Sequence, residues 1–401
     1  MTEHVPTPHL TDPTILLTLT GPDRPGVSTA LFERLTGFDL EVVDVEQLVV
    51  RGRLVLSVLV TRPENAQQLA DTVRDLGADL ALDVEIEHGV GDNRPRRVGR
   101  ANVTVLGHPL EPAAMAALTH RIASAGGNID RILRLARYPV TALRMEISGA
   151  EPDDLQALLL EAAIDHGVDV AVEERGILRH AQRLIVMDVD STLIQGEVID
   201  MLAAHAGLET DMAAATESAM RGELDFETSL RQRVGMLAGL DASLLDTVRE
   251  EILFTPGART MIRTLKRLGY RFALVSGGFR PIIQPLADEL GVDYVAANEL
   301  EIIDGKLTGG LVGPIVDRAG KAAALRAFAA EAGVALKNTV AIGDGANDLD
   351  MLAAAGLGVA FNAKPLVRDQ AQTSVNVPYL DSIVYLLGIT REEVEAADAA
   401  D

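Results

Sequence analysis

A run of four apolar residues, Leu184–Met187, ends at two acidic residues, Asp188 and Asp190. Because the run does not alternate with polar residues, it predicts a strand that is buried on both faces, as in a parallel sheet. In open sheets of this kind, ligands bind just outside the carboxyl ends of the strands. Two carboxylates that are two residues apart on an extended chain point to the same side, and their repulsion favours a shared proton or cation. Oxygen ligands suit Mg²⁺, although an acidic turn after a strand is the simpler alternative.

Three later segments have polar residues where a parallel sheet would have its binding loops. They are Ser276-Gly277-Gly278 after the apolar residues 272–275, Lys321 at a predicted helix start, and Gly343-Asp344-Gly345-Ala346-Asn347-Asp348 after residues 340–342. Strands alternate with helices through this half of the chain, which predicts a Rossmann-like α/β sheet. Each segment is weak by itself, because most Ser-Gly-Gly triplets are loops and most lysines are solvated on the surface.

The motifs follow one another in the order Asp-x-Asp, Ser, Lys and Gly-Asp-Gly-x-x-Asp. This order resembles the haloacid dehalogenase (HAD) superfamily of phosphotransferases, and Asp188-Val189-Asp190-Ser191-Thr192 and residues 343–348 are most similar to the phosphoserine phosphatases. The resemblance implies Mg²⁺-dependent hydrolysis of O-phospho-L-serine to L-serine and phosphate, the last step of L-serine biosynthesis. One alternative is a HAD phosphatase for another small phosphomonoester, such as phosphohomoserine or phosphothreonine. Another is an amino-acid-sensing regulatory protein with an inactive HAD domain.

The resemblance also implies roles for individual residues. Asp188 is expected to attack phosphorus and form an aspartyl phosphate, and Asp190 to act as acid and then as base. Mg²⁺ is expected to bind Asp188, Asp344 and the backbone carbonyl of Asp190. The expected ligands of the substrate and its phosphoryl group are Ser276, Gly277, Lys321 and Asn347, with Gly278 as a further candidate. Asp348 either orients the metal shell or the lysine, or is only an acid at a helix N-terminus.

Residues 195–255 are predicted to be mostly helical and to form a cap over the carboxylates, because they follow the first strand of the sheet directly. One stripe of a predicted helix in this cap contains Phe226, Leu230, Arg233 and Leu237. The arginine is a candidate clamp for a substrate carboxylate, or else a side chain whose head reaches water at the edge of the stripe. Glu197 is the candidate partner of a substrate ammonium group. In the phosphoserine phosphatases that the cap resembles, a glutamate and an arginine have these roles, and apolar residues that match Met220 and Phe226 cover the substrate.

Two segments before the α/β domain, residues 15–90 and 100–175, each predict the order βαββαβ, which is the ferredoxin-like arrangement. A polar, basic linker, residues 91–97, separates the two copies of this repeat. The first strand and the turn Gly21-Pro22-Asp23-Arg24-Pro25-Gly26 resemble an ACT domain, a small module that binds amino acids. The fold class is therefore two ACT-like modules followed by a HAD-like α/β domain with a helical cap.

The ACT resemblance indicates a regulatory site near the turns of these modules. The candidate residues are Gly21, Asp23, Gly26 and Gly107, because glycine lets backbone amides approach a carboxylate closely. We expect L-serine to bind there and to lower activity. In the second copy, Pro109-Leu110-Glu111-Pro112 stands in place of Asp23-Arg24-Pro25-Gly26, which disfavours ligand binding by that turn. The alternative is that both modules only dimerise the protein, and we expect a homodimer through the ACT domains.

Composition limits the partners and the compartment. The net charge of −23 and the isoelectric point of about 4.7 argue against nucleic acid or an anionic membrane as a partner. An acidic protein also repels an anionic substrate, so the site must supply its own positive charge. The absence of cysteine is consistent with a cytoplasmic protein. Residues 1–14 are predicted to be a flexible tail, residues 182–390 the HAD domain, and residues 391–401 an acidic tail that is either a frayed helix or disordered.

Overall fold

The computed structural model describes residues 12–91, 99–174, 183–220 and 226–398, with the backbone alone at 213 and 216–220. These residues form two compact units, one within residues 12–91 and the other within residues 99–398. Most of the expected N-terminal tail, most of the linker and the last three residues lie outside the description. Pro13 and Thr14, which the sequence assigns to the tail, instead begin the first strand, where Pro13 pairs with Val90 and the buried Thr14 hydroxyl donates to the carbonyl of Gly91.

The first unit is one βαββαβ module, whose antiparallel sheet has the strand order β2-β3-β1-β4. Its elements are β1 Pro13–Pro22, α1 Val27–Leu35, β2 Val42–Val50, β3 Arg53–Thr61, α2 Ala66–Leu80 and β4 Asp83–Val90. Every second residue of β1 is buried, so Ile15, Leu17 and Leu19 face the core that the sheet forms with the two helices. The ferredoxin-like order predicted for this segment is confirmed.

The second module repeats this order, with its sheet arranged as β6-β7-β5-β8. Its elements are β5 Arg100–Gly107, α3 Pro112–Ser124, β6 Asn128–Ala136, β7 Thr141–Ser148, α4 Pro152–His166 and β8 Asp169–Glu174. In contrast to β1, strand β5 is buried on both faces. Val103 packs in the core of the module itself, whereas Leu106 packs in the core of the α/β domain that follows. The second module therefore shares part of its core with that domain.

The α/β domain contains one seven-stranded sheet in the order β12-β11-β10-β9-β13-β14-β15. The strands are β9 Leu184–Met187, β10 Arg271–Phe279, β11 Tyr294–Ile303, β12 Lys306–Val312, β13 Thr339–Gly343, β14 Leu357–Phe361 and β15 Thr373–Val375. All neighbours are parallel except β12, which pairs with β11 as an antiparallel hairpin around Asp304 and Gly305. Both turn residues have positive φ, as a two-residue hairpin loop requires. The predicted parallel sheet is confirmed, and β9 lies at its centre.

Helices cover both faces of this sheet and form the cap. The cap helices are α5 Val198–Ala206, α6 Glu209–Met220, α7 Phe226–Gly235 and α8 Leu244–Glu251. The other helices are α9 Ala258–Arg267, α10 Arg280–Leu290, α11 Arg318–Ala332, α12 Leu349–Ala354, α13 Pro365–Arg368, α14 Ile383–Leu386 and α15 Arg391–Asp398. The cap is inserted directly after β9, so the chain that leaves the central strand passes through the cap before it returns to the sheet.

The C-terminal segment is predicted from the sequence to be either a frayed helix or disordered, and it forms a helix. In this helix, α15, Val394 is buried and Asp398 forms ion pairs with Arg263 and Arg267. Among the described residues, every helix is too short or too polar to span a lipid bilayer.

Candidate active site

The site begins where β9 ends. All four residues of β9 are fully buried between β10 and β13, as the apolar run predicts. Asp188 follows at once and is held beside the end of β13, because its backbone amide donates to the carbonyl of Ile342 at 2.9 Å. Its carboxylate is almost fully buried, and Oδ1 accepts a hydrogen bond from the backbone amide of Val189 at 2.8 Å. The backbone of the parallel sheet thus places one carboxylate at the sheet's carboxyl edge.

Lys321 lies beside this carboxylate. Its ammonium group is 2.8 Å from Oδ1 of Asp188 and 2.7 Å from Oδ1 of Asp348, and the side chain is 1% exposed. Burial alone lowers the pKa of Lys321, but the two carboxylates outweigh that effect and raise its pKa above the ordinary value. The lysine therefore stays charged and offsets part of the negative charge at the site.

Three carboxylates, those of Asp188, Asp344 and Asp348, have oxygen atoms within 4.8 Å of one another. Burial and the charge of Asp348 raise the pKa of Asp188 well above its ordinary value, despite Lys321. Burial also raises the pKa of Asp344 to about 6, although the hydroxyl of Thr192 donates to its Oδ1 at 2.8 Å. A divalent cation would relieve this crowding, and a set of carboxylate oxygens fits Mg²⁺. The residues present are therefore suited to hold a metal ion.

The turn between β13 and α12 explains the Gly-Asp-Gly motif. A Cβ atom at Gly343 would overlap the carboxyl group of Asp348, so only glycine allows that side chain to reach Lys321. Asp348 Oδ2 also accepts the backbone amide of Gly345 at 3.0 Å, as an acid at a helix N-terminus does. Asp348 therefore contacts the lysine and also accepts a backbone amide at a helix N-terminus, which are the two alternatives that the sequence leaves open for it.

Asp190 is held by different contacts. Its Oδ1 accepts the backbone amide of Val198 at 2.8 Å, and its Oδ2 accepts the hydroxyl of Ser276 at 3.0 Å. Burial raises the pKa of Asp190, although both hydrogen bonds lower it. The chain turns at Ser191, whose φ of 56° is left-handed, so residues 188–193 do not continue as an extended strand. The carboxylate of Asp190 is not part of the three-carboxylate cluster, although both Asp188 and Asp190 line one cavity.

The loop after the body of β10 carries the Ser-Gly-Gly motif. The pairing of β10 with β11 shifts register between Val275 and Phe279, so residues 276–278 leave the ladder. The hydroxyl of Ser276 accepts the backbone amide of Gly278 at 2.8 Å, in addition to its hydrogen bond to Asp190. A Cβ atom at Gly278 would lie 3.0 Å from both the Asp190 carboxylate and the Ser276 hydroxyl. Glycine therefore allows the loop to lie close to Asp190.

The cap supplies the other end of the site. Burial and the charge of Asp190 raise the pKa of Glu197 to about 7, although the hydroxyl of Ser191 donates to its carboxylate at 3.2 Å. Burial lowers the pKa of Arg233 on α7, and the charges of Glu197 and Asp200 oppose that shift. The Nε atom of Arg233 is buried and has no hydrogen-bond partner among the described residues. The guanidinium of Arg233 therefore interacts with the charges of two acids, Glu197 at the N-cap of α5 and Asp200 within α5.

These residues surround a cavity of about 660 Å³. The expected residues that line it are Asp188, Asp190, Glu197, Phe226, Arg233, Gly277, Gly278, Lys321, Asp344 and Asn347. Ser276 does not line the cavity, but its hydroxyl donates to Asp190, which does. Leu237 is buried beyond the end of α7, and the side chain of Met220 lies outside the described residues. The cavity is large enough for a small phosphomonoester.

Sequence reasoning missed several residues at the cavity. Asp200 lines it and lies three residues after Glu197, so helical spacing could have indicated that both acids share one face. Thr192, which donates to Asp344, lies inside the first motif but received no role. Lys364 and Leu366 also line the cavity, from α13 and its N-cap, and no pattern in the sequence indicated them.

The residues expected to bind a regulatory amino acid have local explanations in the structure. Gly21 lies within β1 rather than in the turn, and a Cβ atom there would overlap Leu82. Gly26 has a φ of 95° at the start of α1, which favours glycine. Gly107 ends β5, close to Leu110, and the exposed Asp23 donates its backbone amide to the carbonyl of Gly52 at 2.7 Å. These contacts account for the glycines without a ligand.

Comparison with protein families matches all three parts of the chain. Residues 185–353 match the haloacid dehalogenase-like hydrolases, and residues 13–87 and 101–173 each match an ACT domain. Each match coincides with one of the folded regions described above. The two predicted ACT modules and the predicted HAD domain are therefore confirmed.

Comparison with individual proteins gives matches over almost the whole chain. The phosphoserine phosphatase of Streptomyces coelicolor is 60% identical over 388 residues, which are 96% of this chain and 95% of the relative. The phosphoserine phosphatase of Mycobacterium tuberculosis is 53% identical over 395 residues, 96% of each chain. Among solved structures, a HAD family hydrolase of Salmonella enterica has a TM-score of 0.63 at 29% identity and covers 72% of this chain and 98% of its own. The probable phosphoserine phosphatase of Vibrio cholerae has a TM-score of 0.57 at 36% identity and covers 74% of this chain and 88% of its own.

Proposed function

Since the chain belongs to the phosphoserine phosphatases of the haloacid dehalogenase-like hydrolases, we propose that it releases phosphate from O-phospho-L-serine through a phosphorylated Asp188. One observation carries this proposal above the others: a buried lysine bridges Asp188 and Asp348 at one end of a cavity that Glu197 and Arg233 line at the other. The first end suits a phosphoryl group, and the second suits the charges of an amino acid.

Asp188 is the proposed nucleophile. Its described hydrogen bonds, from Val189 and Lys321, both go to Oδ1, so Oδ2 is the oxygen available to attack phosphorus. The positive charge of Lys321 attracts the phosphoryl oxygens and reduces the repulsion between the two anions. A Mg²⁺ ion bound by Asp188, Asp344 and the backbone carbonyl of Asp190 would neutralise further charge on the phosphoryl group, and the position of Asp348 suits it to support that ion.

Asp190 is the proposed acid and base. Because burial raises the pKa of Asp190, this carboxyl group keeps its proton up to a higher pH than an exposed aspartate does, which suits a proton donor. That proton would pass to the departing serine oxygen, and the resulting carboxylate would then take a proton from the water that attacks the aspartyl phosphate. The hydrogen bonds from Val198 and Ser276 keep the group in one orientation for both steps.

The cap is proposed to select the amino acid. The guanidinium of Arg233 can bind the substrate carboxylate with two parallel hydrogen bonds, and Glu197 can bind the ammonium group. Phe226 and Leu230 also line the cavity and can cover the carbon chain of the substrate. Ser276, the Gly277–Gly278 loop, Lys321 and Asn347 are proposed to bind the phosphoryl end.

Phosphate release by the full chain tests this function. We expect rapid release from O-phospho-L-serine with Mg²⁺, loss of activity with EDTA, and recovery when Mg²⁺ is added back. A substrate panel with O-phosphothreonine and O-phosphohomoserine decides whether another small phosphomonoester is preferred, by comparison of kcat/KM. No turnover of any of these esters would favour the remaining alternative, a regulatory protein with an inactive HAD domain.

We also propose that L-serine binding to the ACT domains lowers activity. Serine is a product as well, so inhibition that competes with phosphoserine does not test this idea. We expect a second, non-competitive component that Asp23→Ala removes and that Glu111→Ala, in the corresponding turn of the second module, leaves intact. Purely competitive inhibition by serine would leave the modules with a structural role only.

A homodimer through the ACT domains is proposed on the basis of one edge strand. β2 lies at the edge of its sheet and exposes apolar side chains: Val42 is 48%, Leu48 59% and Val50 57% exposed. An apolar edge strand of this kind is typical of a surface that pairs with another chain. Light scattering should give a dimer, and Leu48→Lys should give a monomer. The cytoplasmic location stays a prediction that cell fractionation would test.

A further inference from the structure

The loop of Ser276, Gly277 and Gly278 leaves backbone groups outside the sheet. Because residues 276–278 bulge out of the ladder between β10 and β11, the carbonyl of Gly277 cannot bond to the neighbouring strand. That carbonyl instead accepts a hydrogen bond from the side-chain amide of Asn298, with Nδ2 at 2.7 Å. Asn298 lies on β11 opposite Phe279, where the pairing resumes.

The other end of the same side chain holds a second loop. Asn298 Oδ1 accepts the backbone amide of Val316 at 2.8 Å. The next residue, Asp317, is the N-cap of α11, and its carboxylate accepts the amide of Gly320 at 2.7 Å. The amide of Lys321 donates to the carbonyl of Asp317 at 2.8 Å. Asn298 is therefore bound to the segment that starts the helix carrying Lys321.

Asn298 itself does not touch the reacting groups. Its side chain is 1% exposed, it does not line the cavity, and its hydrogen bonds to Gly277 and Val316 engage both ends of the amide. Few side chains could replace it, because the position needs one donor and one acceptor on the same planar group.

We propose that Asn298 is a positioning residue that fixes the distance between the Gly277–Gly278 loop and Lys321, and so aligns the phosphoryl group with Asp188. This inference rests on the proposed function of the site. In-line transfer depends on geometry, and a misplacement of about 1 Å can reduce the rate roughly a hundredfold. A residue that bridges two parts of the phosphoryl site should therefore affect kcat more than its distance from the chemistry would indicate.

The alternative is that Asn298 only satisfies two buried backbone groups. Thr339 provides a matched control, because it is also 1% exposed and also joins two loops of the same domain. Its hydroxyl donates to the carbonyl of Leu336 at 2.6 Å and accepts the amide of Gly356 at 3.3 Å. Thr339 begins β13, however, whereas the candidate active site lies at the opposite, carboxyl end of that strand.

The experiment compares Asn298→Ala with Thr339→Val in the full chain. Both variants lose two part-buried hydrogen bonds, so thermal unfolding should shift down by a few degrees in each, on the order of 5 °C. We expect Asn298→Ala to lower kcat for O-phospho-L-serine at least about tenfold and to weaken inhibition by orthovanadate, while Thr339→Val stays within about twofold of the parent. The KM of Asn298→Ala should change less than its kcat, because the cap contacts are intact.

Asn298→Asp tests the same inference if the alanine variant does not fold. The carboxylate keeps an acceptor for Val316 but has no donor for Gly277, so kcat should still fall and orthovanadate should still bind more weakly. Unchanged kcat in these variants, or equal losses in the Asn298 and Thr339 variants, would overturn the role of Asn298 alone. A parent enzyme that does not hydrolyse phosphoserine would instead remove the proposed function, and this inference with it.

Discussion

The two ends of the cavity are built in different ways. At the phosphoryl end, Asp188, Lys321 and Asp348 extend from the carboxyl edge of the sheet and its adjoining helices, are at most 5% exposed, and are bound to one another. At the cap end, Glu197 is exposed and Arg233 is half-buried, and the two side chains make no hydrogen bond to each other in the described part of the chain. The lysine and the two acids of the phosphoryl end are thus paired with one another before substrate binds, whereas the cap end retains groups that a substrate can satisfy.

This difference matches the tasks proposed for the two ends. Transition-state stabilisation requires charges that are already fixed, because reorganisation during the reaction weakens their effect. Selection of a small amino acid requires a wall that can open and close, and a helical cap can do so without disturbing the sheet. We therefore expect changes at the phosphoryl end to lower kcat and changes at the cap end to raise KM.

The largest effect is expected from Asp188→Asn. The amide cannot attack phosphorus, so kcat should fall at least about a thousandfold, while calorimetry should still detect binding of phosphoserine. Asp288→Asn, the same change at an exposed position of α10, should leave kcat unaltered. An Asp188→Asn enzyme with substantial turnover, free of deamidation by mass spectrometry, would remove the distinction between the two ends.

The next largest effect is expected from Arg233→Ala at the cap end. Loss of a charged hydrogen-bonding partner should raise KM for phosphoserine roughly ten- to a hundredfold and change kcat much less. Arg231→Ala is the control, because Arg231 lies on the same helix but is exposed and paired with Glu227 at 2.7 Å. If Arg233→Ala lowered kcat and left KM unchanged, the guanidinium would take part in the chemical step rather than in substrate binding.

Glu197 should make phosphoserine binding depend on pH. Because burial raises the pKa of Glu197 to about 7, the carboxylate loses its charge as the pH falls through that value and attracts the ammonium group less. We expect kcat/KM to fall on the acidic side of pH 7 and Glu197→Gln to be poor at every pH. The phosphate of the substrate also titrates near pH 6, but this changes kcat/KM of the parent and of the variant in the same way. The ratio of parent to variant kcat/KM should therefore rise with pH, and a constant ratio would contradict the role of Glu197.

The smallest effect is expected from Asp200→Asn. This side chain lines the cavity, but its charge acts on Arg233 less strongly than the charge of Glu197 does, so we expect it to attract a substrate ammonium group more weakly. KM should rise by no more than about fivefold, with kcat unchanged. A larger rise than that of Glu197→Gln would identify Asp200 as the main partner of the ammonium group.

The sequence predicted the parallel sheet and most of the residues that line the cavity. Apolar runs indicate the buried strands, and the polar motifs directly follow the ends of those strands. It was less informative where tertiary contacts decide. Asp348 lies in the predicted loop, but only the folded chain places its carboxylate against both Lys321 and the other two acids. Leu366 lines the cavity from α13, the short helix between β14 and β15, and no local sequence pattern predicts that it reaches the cavity.

The chain ends show the same limit. The acidic, alanine-rich segment after residue 390 has a composition typical of a frayed end. It forms α15 because Val394 packs into the domain and Asp398 binds Arg263 and Arg267, which are more than 100 residues away in sequence. Local composition carried no information about these partners.

Covalent trapping tests the central claim most directly. The full chain would be mixed with O-phospho-L-serine and Mg²⁺, quenched during turnover, and treated with borohydride, which reduces an acyl phosphate to an alcohol. Peptide mass spectrometry should then locate the reduced side chain at position 188 and find no such product in the Asp188→Asn variant. A reduced residue elsewhere, or none despite rapid turnover and quenching in the steady state, would contradict the phosphorylated Asp188 on which this account depends.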